Sequence, residues 1–356
     1  MAGLSRAATQ ERNRAKVLAA ARDEFARRGF RDTKIDVIAE RAELTRGAVY
    51  SNFPGKRALY FAVLAELAEH APRPATPASH PSAPDALAAF ARAWVARLPL
   101  ATDSDSEEAR LTRELLPEIL ADEHTRRPFA QLMRIDAILL GLALERLRPG
   151  RRLVRVAEAA LTTLHGASQL AAAAPGFGEP FHIVTACARL LELDLGDDWP
   201  DTPPITSQAR AADEPWNPPG ALDLLTGDTV RPGDGVVTVL GLHRAAAFEE
   251  AVRAGADVTV ALVTSDPGEL APLARLAVAD LRVCLDQAFP APREPRLRIV
   301  SDAGGALAAA AGVTAVSDAT ETAVRVEGGR IVARAEGFGA CHAVAVESGP
   351  GRSSGR

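Results

Sequence analysis

The chain has few of the residues that mark secreted, redox-active or membrane proteins. It has only 3 cysteines in 356 residues, and they form neither a CxxC pair nor a metal-ligand spacing with histidine. We therefore expect reduced thiols and no metal site. No stretch reaches the roughly twenty apolar residues that are needed to cross a bilayer, and no apolar run follows the basic start of the chain. These shortages predict a cytoplasmic protein without a membrane partner.

Cofactor motifs are also missing. The sequence has neither a GxGxxG fingerprint nor a P-loop, so we expect no cofactor. A formal charge of -5 argues against a chain that coats nucleic acid along its whole length, so DNA contacts must come from a locally basic segment. Residues 1–57 provide such a segment, with 13 Lys or Arg against 7 Asp or Glu.

The hydrophobic pattern divides the chain into a helical part and an α/β part. From about residue 9 to residue 195, apolar residues recur at helical spacing, with a break at the five prolines of residues 71–84. Residues 196–220 are rich in Pro, Asp, Ser and Thr and have no period, which predicts a linker. Beyond them, short β-branched runs alternate with helical stretches, which is typical of an α/β domain over residues 221–346. The tail 349–356 is expected to be disordered.

The same patterns give approximate bounds for individual elements. Helices are predicted after the proline-rich break at 85–98, 106–120, 126–147, 151–173 and 180–193. In the α/β part, strands are predicted at 236–240, 258–263, 297–300, 322–326 and 330–333, and helices at 245–254 and 267–279.

Residues 15–67 are the most informative stretch and predict four short helices. An apolar stripe along the first helix ends at Gly29, which can take a positive φ there. Thr33 has the spacing of an N-cap for the second helix, and Thr45 has the same spacing for a third helix of about two turns. A short turn joins these two helices, as in a helix-turn-helix.

The third helix is predicted to be a recognition helix. Val49 faces the core, while the small residues Gly47 and Ala48 let the helix enter a major groove. Arg46 can donate two hydrogen bonds to a guanine edge, and Lys56 would contact a phosphate from the positive end of the fourth helix. The expected DNA-contacting residues are Thr33, Thr45, Arg46, Gly47, Ala48, Tyr50, Asn52 and Lys56.

This stretch resembles the tetracycline-repressor-like (TetR/AcrR) regulators. The matching positions are Gly29-Phe30, Thr33, Ile38-Ala39, Ala42, Leu44-Thr45, Gly47, Val49-Tyr50, Asn52-Phe53, Lys56 and Leu59. The resemblance implies a helix-turn-helix DNA-binding domain over residues 9–67 and a helical ligand-binding and dimerisation domain over residues 85–195. One departure is Glu43, where the family usually has glycine in the turn. A side chain there would strain the backbone, and its charge would repel phosphate.

The resemblance implies a homodimeric repressor that binds an inverted-repeat DNA operator and responds to a small-molecule effector. Residues 151–173 and 180–193 are apolar enough to form a four-helix dimer interface, although burial within one subunit is the alternative. Candidate ligand-binding residues, chosen for aromatic and polar character in the middle helices, are Trp94, His124, Phe129, Asp136 and His165.

The runs at residues 297–313 and 322–338 resemble, through weaker motifs, the second half of a thioredoxin-like domain of the peroxiredoxin type, which implies such a domain over residues 221–346. In an active member the nucleophilic cysteine follows the first central strand, where this chain has residues 241–244 with the sequence GLHR. We therefore expect a redox-inactive domain in a protein that is not an enzyme, and a chain ending near Leu195 that still dimerises and binds DNA. Two alternatives stay open: a thiol-dependent redox enzyme or sensor, and an interaction adaptor with a vestigial DNA-binding head.

Overall fold

The computed structural model describes residues 6–74, 82–98, 111–112, 114–199, 207–290 and 296–346. The chain forms two compact units. The first comprises Met1–Arg126, Leu139–Asp197 and Gly268–Ala291, and the second comprises Arg127–Ile138, Asp198–Pro267 and Pro292–Arg356. The tail 349–356 and the first part of the helix expected at 106–120 lie outside the described residues. Within the described ranges, no helix is long and apolar enough to cross a membrane.

The first unit is helical. Its helices are α1 (Arg6–Asp32), α2 (Ile35–Arg41), α3 (Arg46–Asn52), α4 (Lys56–Glu69), α5 (Ala83–Val95), α6 (Leu115–Leu120), α7 (Glu123–Leu147), α8 (Val154–Ala173), α9 (Pro180–Arg189) and α11 (Leu270–Ala288). Residues 127–138 of α7 belong to the second unit. A 3₁₀ turn, Leu190–Glu192, follows α9. The helical N-terminal half that the sequence predicts is confirmed.

Three aromatic rings hold α1 against α4. The ring of Tyr60 lies 5.5 Å from that of Phe25 and 4.8 Å from that of Phe30, and all three side chains are buried. Phe30 returns to the core because Gly29 has φ 77° and ψ 169°, a conformation that glycine adopts at low cost. Each such ring pair contributes about 0.5–1.5 kcal/mol beyond the area it buries, so this cluster fixes the angle between the two helices.

Helix α11 differs in length and placement from the prediction. The sequence predicts a helix at 267–279 within the α/β domain, whereas α11 extends to Ala288 and belongs to the first unit. There it packs against α4 and α5. The pattern could not reveal this partner, because α11 is apolar on nearly every face and such a helix fits several environments. A chain ending near Leu195 would therefore lack one helix of the first unit.

The second unit contains a six-stranded mixed sheet. In spatial order its strands are β1 (Arg210–Pro215), β8 (Arg330–Glu336), β7 (Glu321–Glu327), β4 (Gly235–Gly241), β5 (Val258–Val263) and β6 (Leu297–Ser301). A separate hairpin pairs β2 (Ala221–Leu222) with β3 (Thr229–Val230). The helices are α10 (Phe248–Arg253), α12 (Ala306–Ala310) and α13 (Ala340–Val346), and a 3₁₀ turn, Ala245–Ala247, precedes α10.

The sheet combines parallel and antiparallel pairing around β4. Strands β4, β5 and β6 are parallel, whereas β7 is antiparallel to both β4 and β8. Strand β5 is buried along its whole length, as expected for a strand covered on both faces. The apolar core of the unit contains Trp216, Val237, Val239, Ala261, Val263, Val300, Leu307, Ala308, Ala311, Val324, Val326 and Ile331. The five predicted strands are all present.

Strand β1 lies within the range 196–220 that the sequence predicts to be a linker. It is an edge strand that pairs antiparallel with β8, and all but one of its six side chains are exposed. An exposed edge strand has no buried face and therefore no alternation of apolar and polar residues. The absence of a period at residues 210–215 therefore reflects an exposed edge strand and not a linker.

A close crossing of α7 and α8 gives a test of the packing in the first unit. A β carbon at Gly141 would lie 2.8 Å from Cγ2 of Val154 and 3.0 Å from its Cα. We expect Gly141→Ala to lower the free energy of unfolding by about 1–3 kcal/mol, because overpacking outweighs the better helix propensity of alanine. Gly166→Ala is the matched control, since a β carbon there meets nothing within 4 Å. Chemical denaturation that finds the two variants equally stable would contradict the close crossing.

Candidate DNA-binding site

The turn between α2 and α3 is tight and strained at one residue. The backbone N–H of Leu44 donates to the carbonyl of Ala39 at 2.9 Å, which closes the turn. Glu43 has φ 55°, and among the described residues it is the only non-glycine residue with a positive φ. Its carboxylate lies 3.3 Å from the Lys16 ammonium on the surface. The strain expected from Glu43 in a glycine position is therefore present.

Helix α3 presents small and polar residues on its outer face. The side chain of Thr45 accepts a hydrogen bond from the backbone N–H of Ala48 at 3.2 Å, so the predicted N-cap is confirmed. Val49 is buried against the core, as predicted. The exposed residues of the helix and its cap include Thr45, Arg46, Gly47 and Tyr50, whereas Ala48 is half-buried.

Arg46 is held loosely on this face. Its guanidinium lies 3.4 Å from the Asp36 carboxylate and 5.5 Å from the centre of the Tyr50 ring. The hydrogen bond with Tyr50 and the charge of Asp36 raise the pKa of Arg46 above its usual value, so it stays charged. An exposed ion pair contributes little to stability. The guanidinium can therefore leave Asp36 for a base edge at small cost.

Asn52 has a structural role at the end of α3. Its side-chain amide donates to the backbone carbonyl of Ala48 at 2.8 Å, and the backbone carbonyl of Asn52 accepts from the Arg14 guanidinium at 3.3 Å. The Arg14 guanidinium also lies over the ring of Phe53, 4.4 Å from its centre. These contacts fix the end of the recognition helix against α1.

Thr33 is not the N-cap of α2. It is 1% exposed, and its hydroxyl donates to the carbonyls of Gly29 at 2.7 Å and Glu24 at 3.1 Å. The residue before α2 is Lys34, whose side chain makes no cap bond. The predicted cap is therefore wrong, because the hydroxyl turns toward the open carbonyls of α1. In this position Thr33 does not lie on the surface that DNA would meet.

Lys56 also bonds to backbone rather than facing outward. Its ammonium donates to the carbonyls of Phe30 at 2.7 Å, Thr33 at 3.0 Å and Arg31 at 3.2 Å. Burial lowers the pKa of Lys56. Its charge sits at the negative end of α1, where a cation is favoured. The expected phosphate contact would require these bonds to break, so the structure does not support it.

Lys34 is a surface cation that the sequence analysis missed. It is exposed and directly precedes α2. Within the described part of the chain, no hydrogen bond or ion pair of its ammonium is found, so it can meet a phosphate without losing a partner. Lysine is a poor N-cap residue, so Lys34 just before α2 indicated a side chain that faces outward. The prediction of Thr33 as the cap placed Lys34 inside the helix instead.

Two of the five candidate ligand-binding residues lie in contact. The rings of Trp94 and His165 meet edge to face with centres 4.8 Å apart, and Nε1 of Trp94 donates to Oγ of Ser168 at 3.0 Å. Burial lowers the pKa of His165, so its imidazole is neutral at pH 7. Of the other three, His124 is exposed near the start of α7. Phe129 and Asp136 lie in the part of α7 that is assigned to the second unit.

The segment after β4, where the sequence lacks the cysteine expected of an active thioredoxin-like domain, holds an ion pair. Nε of Arg244, just after β4, donates to Oε2 of Glu321 at 2.7 Å. Oε1 of Glu321 accepts from the backbone N–H of Gly339 at 2.8 Å, and the Arg244 guanidinium lies over the ring of Phe338. A guanidinium that is held in this way offers no nucleophile for thiol chemistry.

All three cysteines are free and buried. Burial raises the pKa of Cys187 to about 11 and that of Cys284 to about 12. Burial and the nearby carboxylates of Glu321 and Glu250 raise the pKa of Cys341 as well. The three thiols are therefore protonated at neutral pH, and the thiolate is the form that reacts.

Comparison with known proteins agrees with the geometry of α1 to α4. The family model described as "Bacterial regulatory proteins, tetR family" matches residues 17–63. Residues 17–63 are a TetR-family helix-turn-helix domain. The HTH-type transcriptional regulator SrpR of Pseudomonas putida is 44% identical over 59 residues, which make up 17% of this chain and 28% of that regulator. The match to SrpR thus spans about a quarter of its length.

Solved structures of TetR-type regulators align with about half of the chain. A TetR transcriptional regulator from Rhodococcus sp. RHA1 is 14% identical with a TM-score of 0.36, and the alignment covers 52% of this chain and 98% of that one. NalD, the secondary repressor of the MexAB-OprM multidrug efflux pump in Pseudomonas aeruginosa, is 21% identical with a TM-score of 0.32, covering 51% and 94%. RolR in complex with resorcinol is also 21% identical, with a TM-score of 0.34, covering 52% and 90%. Scores this low establish no shared fold outside the TetR-family domain.

The strain at Glu43 predicts that glycine is the better residue in this turn. We expect Glu43→Gly to raise the free energy of unfolding by about 1 kcal/mol, because the left-handed conformation costs a residue with a β carbon roughly that much. Glu43→Gln is the matched control, since it removes the same charge and the exposed Lys16 pair but keeps the β carbon. Urea denaturation measures both variants. Equal stability of the two variants would show that the charge of Glu43, rather than its backbone conformation, matters.

Proposed function

We propose that this protein is a DNA-binding transcriptional regulator, a repressor by analogy with its family, that acts in the cytoplasm. The observation that carries the proposal is the outer face of α3, where Arg46 and Tyr50 are exposed within a TetR-family domain. The regulator SrpR, 44% identical over 59 residues, supports this reading. The vestigial-head alternative is less well supported, because the turn, the cap and the exposed arginine are all in place.

In the proposed complex, α3 lies in a major groove. Arg46 donates to the O6 and N7 atoms of a guanine, which is the contact that carries sequence preference. Lys34, ahead of α2, contacts a phosphate and contributes equally on any sequence. The small residues Gly47 and Ala48 keep the backbone of α3 close to the base edges.

We further propose that the protein binds an inverted repeat as a homodimer through α8 and α9. These helices and the loop between them carry large exposed apolar side chains, including Phe177 and Phe181. Several exposed apolar side chains on neighbouring segments support a covered interface there, since contiguous apolar surface marks interaction sites. Twofold symmetry would place the two α3 helices in successive major grooves, about 34–36 Å or a multiple apart.

The proposed effector is a small molecule that contacts Trp94 and His165. Their rings already touch across α5 and α8, and the neutral imidazole can either donate or accept a hydrogen bond. The dimer can adopt conformations that differ in the spacing of its two recognition helices. An effector that binds one of these conformations more tightly would raise its population and so lower or raise operator affinity.

We propose that the second unit is a thioredoxin-like domain without redox activity. Its central strand β4 lies between the parallel β5 and the antiparallel β7, and a helix follows it, which supports the resemblance. Arg244 at the nucleophile position and three buried thiols speak against the redox-enzyme alternative. Peroxide consumption with a thiol reductant, lost in Cys284→Ser, would revive that alternative.

The Arg46 assignment can be tested on DNA fragments that the purified protein selects from a random pool. We expect Arg46→Ala to bind the selected operator about ten- to a hundredfold more weakly, with little change on random DNA, because a bidentate guanine contact is lost. Lys34→Ala should weaken both DNAs alike and reduce the salt dependence of binding. Arg22→Ala, an exposed arginine of α1 outside the turn and α3, is the control. Operator affinity unchanged by Arg46→Ala would mean that another element reads the bases.

The dimer interface can be tested by placing a charge in it. We expect Phe181→Asp to convert the dimer to a monomer at micromolar concentration, because the carboxylate would lose its water in the interface. Leu120→Asp is the matched control, since Leu120 is 68% exposed against 71% for Phe181 but lies in α6. Light scattering coupled to gel filtration reports the mass. A wild-type protein that is already monomeric, or a dimer that both variants keep, would rule out this interface.

A further inference from the structure

Helix α11 holds the far end of α4 through a paired arginine and glutamate. Nε of Arg275 donates to Oε1 of Glu69 at 2.7 Å, and its Nη2 donates to Oε2 at 2.5 Å. Both side chains are largely buried, with 29% and 16% of their surfaces exposed. A two-bond guanidinium–carboxylate pair in such a position is directional as well as strong. Glu69 is the last residue of α4, so this pair fixes the position of the C-terminal end of α4.

A second arginine of α11 binds the same helix end through its backbone. Nη2 of Arg282 donates to the carbonyl of Glu69 at 2.9 Å and approaches that of Ala68 at 3.4 Å. These carbonyls belong to the last turn of α4. Carbonyl oxygens in the last turn of a helix have no N–H partner within that helix and carry partial negative charge. The side chain of Arg282 is buried. Its cation therefore completes the C-terminal end of α4.

The beginning of α4 is tied to α11 as well. Nε of Arg57, the second residue of α4, donates to Oε1 of Glu269 at 2.7 Å, and its Nη2 donates to Asp122 at 2.8 Å. Glu269 directly precedes α11. Helix α11 thus contacts α4 through charged groups at both ends and through apolar packing along its length.

A shift of α4 would be passed to the recognition helix α3 over a short connection. Only residues 53–55 separate α3 from α4. Arg14, which holds Phe53 and the carbonyl of Asn52, lies close enough to Arg275 for the two charges to repel each other. Glu69 neutralises Arg275 in the intact pair, and Glu66 acts on both arginines as well. Without Glu69, Arg275 would be only partly neutralised beside the arginine that fixes the end of α3.

We propose that Glu69 and Arg275 are positioning residues for operator binding, so that the helix connecting β5 to β6 is required to hold α3 in its DNA-binding position. The inference rests on the proposed function, since it presumes that α3 reads an operator. It makes α11, which lies between β5 and β6 in the sequence, part of the DNA-binding machinery.

A charge-swap cycle tests the proposal on the full-length protein. The variants are Glu69→Arg, Arg275→Glu and the double variant that carries both changes. We expect each single variant to bind the selected operator about tenfold or more weakly, and the double variant to recover most of the loss, because the pair is restored in reversed order. The Arg330–Asp213 pair of the second unit, swapped in the same way, is the control and should leave binding unchanged.

Circular dichroism melting of every variant separates misfolding from misplacement of α3. Single variants that melt like the wild type and bind the operator like the wild type would overturn the proposal, and so would a folded double variant that fails to recover. If the single swaps unfold, the neutral Glu69→Gln takes their place: weaker operator binding at an unchanged melting temperature supports the proposal, and wild-type binding overturns it. A wild-type protein that selects no DNA would instead defeat the proposed function itself.

Discussion

The DNA-binding domain depends on the burial of Tyr60. Its ring lies between those of Phe25 and Phe30, and its hydroxyl donates to the carbonyl of Leu111. Burial and the charges of Glu114 and Glu118 raise the pKa of Tyr60 far above its usual value, so the hydroxyl stays a donor. Because α1 and α4 are both fixed at this residue, the short helices α2 and α3 can pack on them through Ile35, Ile38 and Val49. Short helices are marginal alone, and tertiary packing stabilises them here.

Several basic residues near the N-terminus are bound by acidic or backbone groups of the domain itself. The carboxylate of Glu24 is buried and pairs with Arg27, Arg28 and Arg41. Lys56 closes the end of α1. Arg46 and Lys34 are exposed at the starts of α3 and α2, and in the described part of the chain neither is held by a buried carboxylate or by backbone carbonyls. Because non-specific affinity rises with the number of phosphate contacts, each cation bound within the domain lowers the general affinity for DNA that the sequence composition would suggest.

The sequence was sufficient to predict features that depend on the spacing of neighbouring residues. It was not sufficient to predict which of several partners a polar side chain or a helix would contact. Turn spacing and capping chemistry predicted Thr45 as a cap, Val49 as a core residue and the strain at Glu43. Thr33 and Lys56 have the composition of surface contacts, yet both turn to open carbonyls of α1, because the kink at Gly29 leaves these acceptors unsatisfied. That choice depends on where α1 ends in space, which spacing along the chain does not encode.

The assignment of α11 to the first unit also bears on the role of the chain segment between β5 and β6. If α11 positions α4 as proposed, this segment contributes to DNA binding through its contacts with α4. Coupling of this kind is reciprocal: whatever changes the position of α11 changes operator affinity, and operator binding acts back on α11 by the same factor. Within the first unit, the ion pair of Glu69 with Arg275 is the contact that would carry this coupling.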